Sequence, residues 1–151
     1  MSGLNSFVNG YNTENDNDND YDNDSRDDEL VSARQDVQEI FGRQELEGFI
    51  LNSPASLVSF GAEWCRHCQQ LLPRFKALNR RLREINSPTH VARVECTDPR
   101  NEQLCRAQGV RAYPTVKIFS QSSPPLGEIY NGETTSDGFE AFLRARRLWD
   151  L

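Results

Sequence analysis

The chain of 151 residues carries 23 acids against 17 Lys and Arg, a net charge of −6, and only 36% hydrophobic residues, which suits one compact domain with additional polar sequence. No apolar run approaches the roughly 20 residues that span a bilayer, so a membrane segment is not expected. The charge is unevenly divided: residues 1–29 hold nine acids and one Arg, net −8, and the remainder holds 14 acids against 16 Lys and Arg, net +2. A nearly neutral domain lacks the basic footprint of a nucleic-acid binder, and Arg80, Arg81 and Arg83 read as the solvated face of a helix.

Taken in chain order, residues 1–29 come first. They include the run Asn15-Asp-Asn-Asp-Asn-Asp-Tyr-Asp-Asn-Asp24, with too little apolar surface to offset the entropy of ordering. They are predicted to form a disordered acidic low-complexity tail, with the folded domain at 30–151. A solubilising extension is the simplest role for the tail, and an acidic arm for basic partners is the alternative. The Asp/Asn alternation lacks the glycine and distal glutamate of a calcium loop. No apolar segment of signal-peptide type follows Met1, and Arg147-Leu-Trp-Asp-Leu151 is not an ER-retention signal, so the default expectation is a cytoplasmic protein, with an oxidising ER-like lumen as the alternative.

A short strand near Asp36 to Ile40 and a helix from Arg43 to Leu51 open the domain. Ser56-Leu-Val-Ser-Phe-Gly61 reads as a buried strand. Leu71, Leu72, Phe75, Leu78, Leu82 and Ile85 then recur at helical spacing, with Pro73 expected to kink the helix. A strand from His90 to Glu95 and a short helix around Glu102 to Gln108 follow, and His90 reads as a strand-opening residue. Strands near Thr115 to Ser120 and Gly127 to Tyr130 flank a Pro124-Pro125 turn. A last helix from Ser136 to Leu148 should bury Phe139, Phe142, Leu143 and Leu148. The order βαβαβαββα predicts an α/β fold, a mixed central sheet with helices on both faces.

Trp64-Cys65-Arg66-His67-Cys68 falls at the junction of the buried strand and the long helix. Two cysteines three apart at the start of a helix make a reversible dithiol/disulfide pair. Unpaired N–H groups and the positive end of the helix dipole favour the Cys65 thiolate, and Cys68 returns to the same face. Arg66 and His67 add positive charge, which should stabilise the reduced form and make the pair more oxidising. The same spacing also serves as half of a zinc site.

Phe60-Gly-Ala-Glu-Trp-Cys-Arg-His-Cys68, Pro73, Gly109-Val-Arg-Ala-Tyr-Pro-Thr115 and Tyr130-Asn-Gly132 occur in the order and spacing of the thioredoxin superfamily. His67 before the second cysteine resembles the catalytic domains of protein disulfide-isomerases. The resemblance covers about Asp36 to Leu148 and implies the thioredoxin fold. It also implies Cys65 as nucleophile, Cys68 as resolving cysteine, and Pro114 as a cis-proline whose loop, with Trp64 and Tyr113, meets an extended substrate. Arg111 matches a family arginine that lowers the pKa of the second cysteine. Cys96 and Cys105 stand where several such domains carry a structural disulfide; two buried free thiols, a regulatory pair, or a zinc site shared with Cys65 and Cys68 remain the alternatives.

The chain also departs from the pattern. Ser59 replaces a buried acid that exchanges protons with the resolving cysteine, while the basic partner of that acid survives as Arg93. The role must pass to water or another carboxylate, with Glu63 the candidate. Arg66 and Ala112 replace glycines. The implied function is a thiol-disulfide oxidoreductase of protein disulfide-isomerase type, acting on protein thiols and disulfides. It needs no metal or organic cofactor, is supplied by a reductase, an oxidase or glutathione, and is expected to be a monomer. A thioredoxin-like cytosolic reductase and a non-catalytic binding or chaperone module are the alternatives.

Removal of residues 1–29 should leave the melting temperature and the exchange rate on a small dithiol nearly unchanged, because an acidic unstructured arm contributes no core contacts. A fall of several degrees in the truncated protein would show that the arm docks.

Overall fold

A computed structural model describes residues 37–121, 123 and 125–150. The predicted acidic tail at 1–29, the start of the domain at 30–36, and Pro124 of the predicted turn lie outside the described residues.

Strand β2, Ala55–Gly61, is buried at every position. A strand with no solvent face must have both edges paired and both faces covered, because its backbone and side chains have no water to meet. Strand β3, Thr89–Glu95, pairs with it in parallel on one side, and β4, Thr115–Ser120, antiparallel on the other. Strand β1, Gln38–Ile40, adds parallel to β3, and β5, Glu128–Ile129, adds antiparallel to β4. Among the described residues the sheet therefore runs β1-β3-β2-β4-β5.

The helices are α1 (Arg43–Leu51), α2 (Arg66–Glu84), α3 (Glu102–Ala107) and α4 (Ser136–Ala145), with a 3₁₀ turn at Pro99–Asn101. On one face of the sheet Leu57, Val91, Val116 and Ile118 pack with Leu71, Phe75, Leu78 and Leu82 of α2 and Phe139 and Leu143 of α4. The Phe139 ring lies 5.2 Å from Phe75 and 4.8 Å from Tyr130. On the other face Val58, Phe60, Ala92, Val94 and Phe119 meet Leu46 of α1 and Leu104 and Cys105 of α3. This is the predicted mixed sheet with helices on both faces, and it is the thioredoxin fold. No helix among the described residues is long and apolar enough to cross a membrane.

Two expectations change. The last helix ends at Ala145 rather than Leu148 because Arg147 turns left-handed (φ 60°). The N–H of Leu148 then reaches the carbonyl of Leu143 at 2.8 Å and that of Arg147 the carbonyl of Arg144 at 3.1 Å, the double bond that closes many helices. The turn sends Trp149 into the core, which the helical pattern did not include, and lets the Leu148 carbonyl accept the Thr89 hydroxyl. The basic cluster on α2 is also not a free solvated face. Arg83 is half-buried and donates to the carbonyls of Ser87 and Thr89, and Arg81 pairs with Asp137 and Glu140.

Asn101 ties the upper end of the sheet together. Fully buried, it donates to the carbonyls of Ile40 (3.1 Å) and Glu95 (3.0 Å) and accepts the Gly42 N–H (2.7 Å). Asn101→Ala removes all three bonds, leaving the Glu95 carbonyl with only the Asp98 N–H at 3.2 Å, and should cost about 3 kcal/mol in urea unfolding. Leu51→Ala, at a side chain 84% exposed, should change stability by less than about 0.5 kcal/mol. Equal losses in the two variants would refute the clamp.

Candidate active site

After β2 the chain crosses the end of the sheet in a few residues, and α2 begins at Arg66. Cys65 is the residue that caps this helix, with extended backbone (φ −78°, ψ 124°) and its carbonyl accepting from Gln69 N–H at 3.0 Å. The first N–H groups of a helix have no partner inside it. Here they serve the Cys65 sulfur: its pKa is lowered by the hydrogen bond from the Cys68 thiol first, then by the Cys68 N–H, with the His67 N–H adding to it and burial opposing. The Cys65 sulfur also faces the second loop, 3.7 Å from the Tyr113 carbonyl oxygen, to which its thiol can donate. The Tyr113-Pro114 bond in that loop is cis, as expected.

Cys68, one turn on, differs in depth. Its sulfur lies so close over Gly61 that a β-carbon there would stand 2.8 Å from it, which is why this position takes glycine. With Leu71, Leu72, Phe75, Ser59 and Arg93 it borders an internal cavity of about 10 Å³. Burial, reinforced by the neighbouring Cys65 and by Glu95, pushes the Cys68 thiol up to about 11. Exposure of the residues as a whole points the other way, since Cys65 is 9% exposed and Cys68 half-buried. Surroundings of the sulfur atoms, not residue surface, decide reactivity here: Cys65 Sγ meets polar N–H donors, and Cys68 Sγ meets the apolar side of α2.

Arg66 and His67 are exposed. The groups that lower Cys65 are the Cys68 thiol and backbone N–H donors, so the expected contribution of the two side-chain charges is not the main one. Trp64 is 68% exposed and packs edge-on to Tyr113 with centroids 5.9 Å apart, an aromatic wall beside the nucleophile. Arg111 is exposed on the loop before the cis-proline and makes no hydrogen bond or ion pair among the described residues. Cys96 and Cys105 are joined in a disulfide, with Cα atoms 5.9 Å apart. Being bonded to each other, they are neither free thiols nor zinc ligands with Cys65 and Cys68.

The missing acid at Ser59 has a neighbour that the sequence reading passed over. Glu63 is exposed and enters the network only through its N–H, which donates to the carboxylate of Glu95 at 3.1 Å. Glu95 also accepts from Arg93 at 2.8 Å and from the Thr97 hydroxyl. Burial alone would raise its pKa, but Thr97, Arg93 and the Glu63 N–H outweigh it and hold the carboxyl below its usual range. The available signal was the period of two along β3, which puts Arg93 and Glu95 on one face.

A thioredoxin family model matches residues 38–145. The chain is 39% identical over 92 residues to a protein disulfide-isomerase of Aspergillus oryzae, covering 61% of this chain and 17% of that protein. It is 35% identical over 96 residues to protein disulfide-isomerase A5 of Mus musculus, covering 64% and 18%. Among solved structures, the first thioredoxin domain of mouse protein disulfide-isomerase A4 superposes with TM-score 0.60 at 26% identity, covering 72% of this chain and 74% of that one. A thioredoxin from Halobacterium salinarum, at 24% identity and TM-score 0.62 over 78% and 94%, agrees in fold. The chain spans a quarter or less of the length of the curated relatives it matches. Motif, fold and site geometry agree with these matches, and the chain belongs to the thioredoxin family, with a domain that resembles those of protein disulfide-isomerases.

Proposed function

We propose that this protein is a thiol-disulfide oxidoreductase of the disulfide-isomerase type, acting on cysteines of protein substrates. The observation that carries the reading is the inequality of the two thiols: Cys65 is lowered and faces the Tyr113-Pro114 loop, while Cys68 is raised to about 11 and packs over Gly61. Such a pair attacks in one order. Starting from the dithiol, the Cys65 thiolate attacks a substrate disulfide, forms a mixed disulfide and releases one substrate thiolate, which is then protonated. Cys68 can next lose its proton and attack Cys65, leaving a Cys65–Cys68 disulfide and the second substrate thiol. Run backward, the same steps oxidise a substrate dithiol. Trp64 and Tyr113 offer apolar surface to the substrate chain, and Pro114 shapes the loop beside it.

The relatives named disulfide-isomerases and the buried Cys96–Cys105 bridge favour an oxidising lumen over the reducing cytosol. A reductase, an oxidase or glutathione supplies electrons or accepts them. The thioredoxin-like reductase reading differs in poise rather than in chemistry, so insulin reduction measured beside oxidative refolding separates the two. A Cys65→Ser variant should be silent in both assays. Retained turnover in that variant would defeat the reading, and retained substrate holding without exchange in the parent would favour a binding module.

The lowered Cys65 pKa means that its thiolate persists to lower pH than that of an unperturbed cysteine. Alkylation of the reduced protein at mildly acidic pH should therefore label Cys65 before Cys68, with a rate midpoint below that of the unfolded chain. First labelling at Cys68 would invert the roles.

His67→Pro removes both an imidazole and one of the N–H groups that lower Cys65, at a helix position proline tolerates. The reduced state should lose stabilisation, and the reduction potential should fall by about 30 mV, roughly tenfold in the equilibrium with glutathione. His67→Ala keeps the N–H and should shift less. An equal or more oxidising His67→Pro protein would contradict the account.

A further inference from the structure

Cys68 must give up a proton before it can close the active-site disulfide, and no acid stands on the strand beneath it. The surrounding charges can be placed by strand register. In the parallel pairing of β2 with β3, Ser59 lies opposite Arg93 and Gly61 opposite Glu95. Residues two apart on a strand share a face, so Arg93, Glu95, Ser59 and Gly61 all look toward α2. The Cys68 sulfur packs directly over Gly61. Glu95 is therefore rooted one strand spacing, about 4.8 Å, to the side of Gly61, over which the sulfur packs.

Glu95 is also held. Its side chain is 13% exposed, Arg93 binds one carboxylate oxygen at 2.8 Å, and the Glu63 N–H binds the other at 3.1 Å. Its own carbonyl is fixed by Asn101, and Cys96 next to it is bridged to Cys105. Arg93 in turn contacts Glu39 at 2.5 Å and lines the cavity with Cys68. Two carboxylates on one guanidinium leave the cluster with a net negative charge. Of the other elements around Cys68, α2 contributes the Cys65 thiol and apolar side chains, β2 contributes only Ser59 and Gly61, the loop after β2 contributes backbone N–H groups, and Arg111 stands exposed on the cis-proline loop.

We propose that the Glu39–Arg93–Glu95 cluster controls the protonation of Cys68, with Glu95 as the positioning carboxylate that replaces the absent charge at Ser59. The proposal rests on the assignment of Cys68 as resolving cysteine. The Glu95 anion opposes a further negative charge close by, so Cys68 stays an S–H while Cys65 is bonded to substrate, and the mixed disulfide lasts long enough for substrate cysteines to rearrange. To resolve it, the Cys68 proton leaves to a solvent base by way of the cavity, which at about 10 Å³ is close to the volume one water needs. The Cys68 thiolate then attacks Cys65 Sγ, the Cys65–Cys68 bond forms, the bond to substrate breaks, and the departing substrate thiolate takes a proton from solvent. Glu95 touches no reacting atom and acts only through the field at Cys68.

The test is the pH profile of the resolving step, followed by rapid mixing of the reduced protein with a peptide disulfide and acid quenching to count mixed and closed disulfides. Glu95→Gln should move the profile to lower pH and speed resolution at pH 7 between about threefold and tenfold, while the alkylation profile of Cys65 stays in place. Glu95→Asp should restore the parent profile. Glu39→Gln, at the outer end of the cluster and away from the loop bonds, should shift the profile the same way by a smaller factor. It keeps the test available if Glu95→Gln unfolds. An unchanged profile in the folded variants overturns the proposal. Failure of a Cys68→Ser protein to accumulate any mixed disulfide at Cys65 would instead overturn the underlying assignment of function.

Discussion

The structure depends on the complete burial of β2. Each of its residues from Ala55 to Gly61 is shielded, which requires strands on both edges and helices on both faces. That requirement also fixes where the chain can emerge. The chain regains solvent at Glu63 and Trp64, just past the end of β2, and α2 starts two residues later with N–H groups that have no partner inside the helix. The active cysteine is the last of the four residues between β2 and α2, with the core behind it and helix donors before it. Gly61 completes the constraint, since a side chain at the last position of the strand would occupy the space of the Cys68 sulfur.

From this placement the inequality of the two cysteines follows without special side chains. Both belong to one short motif, yet the first meets hydrogen-bond donors and the second meets Leu71, Leu72 and Phe75. Electrostatics then act on a difference that geometry has already made. Arg66 and His67, the charges most visible in the motif, lie in solvent, where their fields are screened. Glu95 and Arg93 are shielded on the inner side, and charges in such positions are screened less.

The clamps around the end of β3 serve the same region. Asn101 joins β1, β3 and the loop before α1, and the Cys96–Cys105 bridge ties the end of β3 to α3. Together they hold the segment that carries Glu95 against the loop that carries Glu63 and Trp64. A disulfide at this place cross-links the end of the sheet nearest the redox pair, where the short α3 contributes little apolar surface of its own.

Hydrophobic period and turn chemistry were enough to locate each strand and α-helix among the described residues to within a few positions, because those patterns reflect which side chains must leave water. The motif spacing likewise identified Cys65 and Cys68, since the pairing of two thiols on one helix face is a local property. What sequence could not supply depended on partners distant along the chain. Arg147 turned left-handed and shortened the last helix because Leu148 and Trp149 were needed elsewhere, against Thr89 and in the core. Lys117, a charged residue on the sheet face that carries Phe119, is buried because the carbonyls of Gln108 and Leu126 receive its ammonium at 2.6 and 2.9 Å. Arg93 and Glu95 lie opposite Ser59 and Gly61 because the register of β2 with β3 sets lateral neighbours. Register arises from the packing of the whole sheet, so the sequence determined the elements and the redox pair, and only the tertiary structure decided which charges the pair would meet.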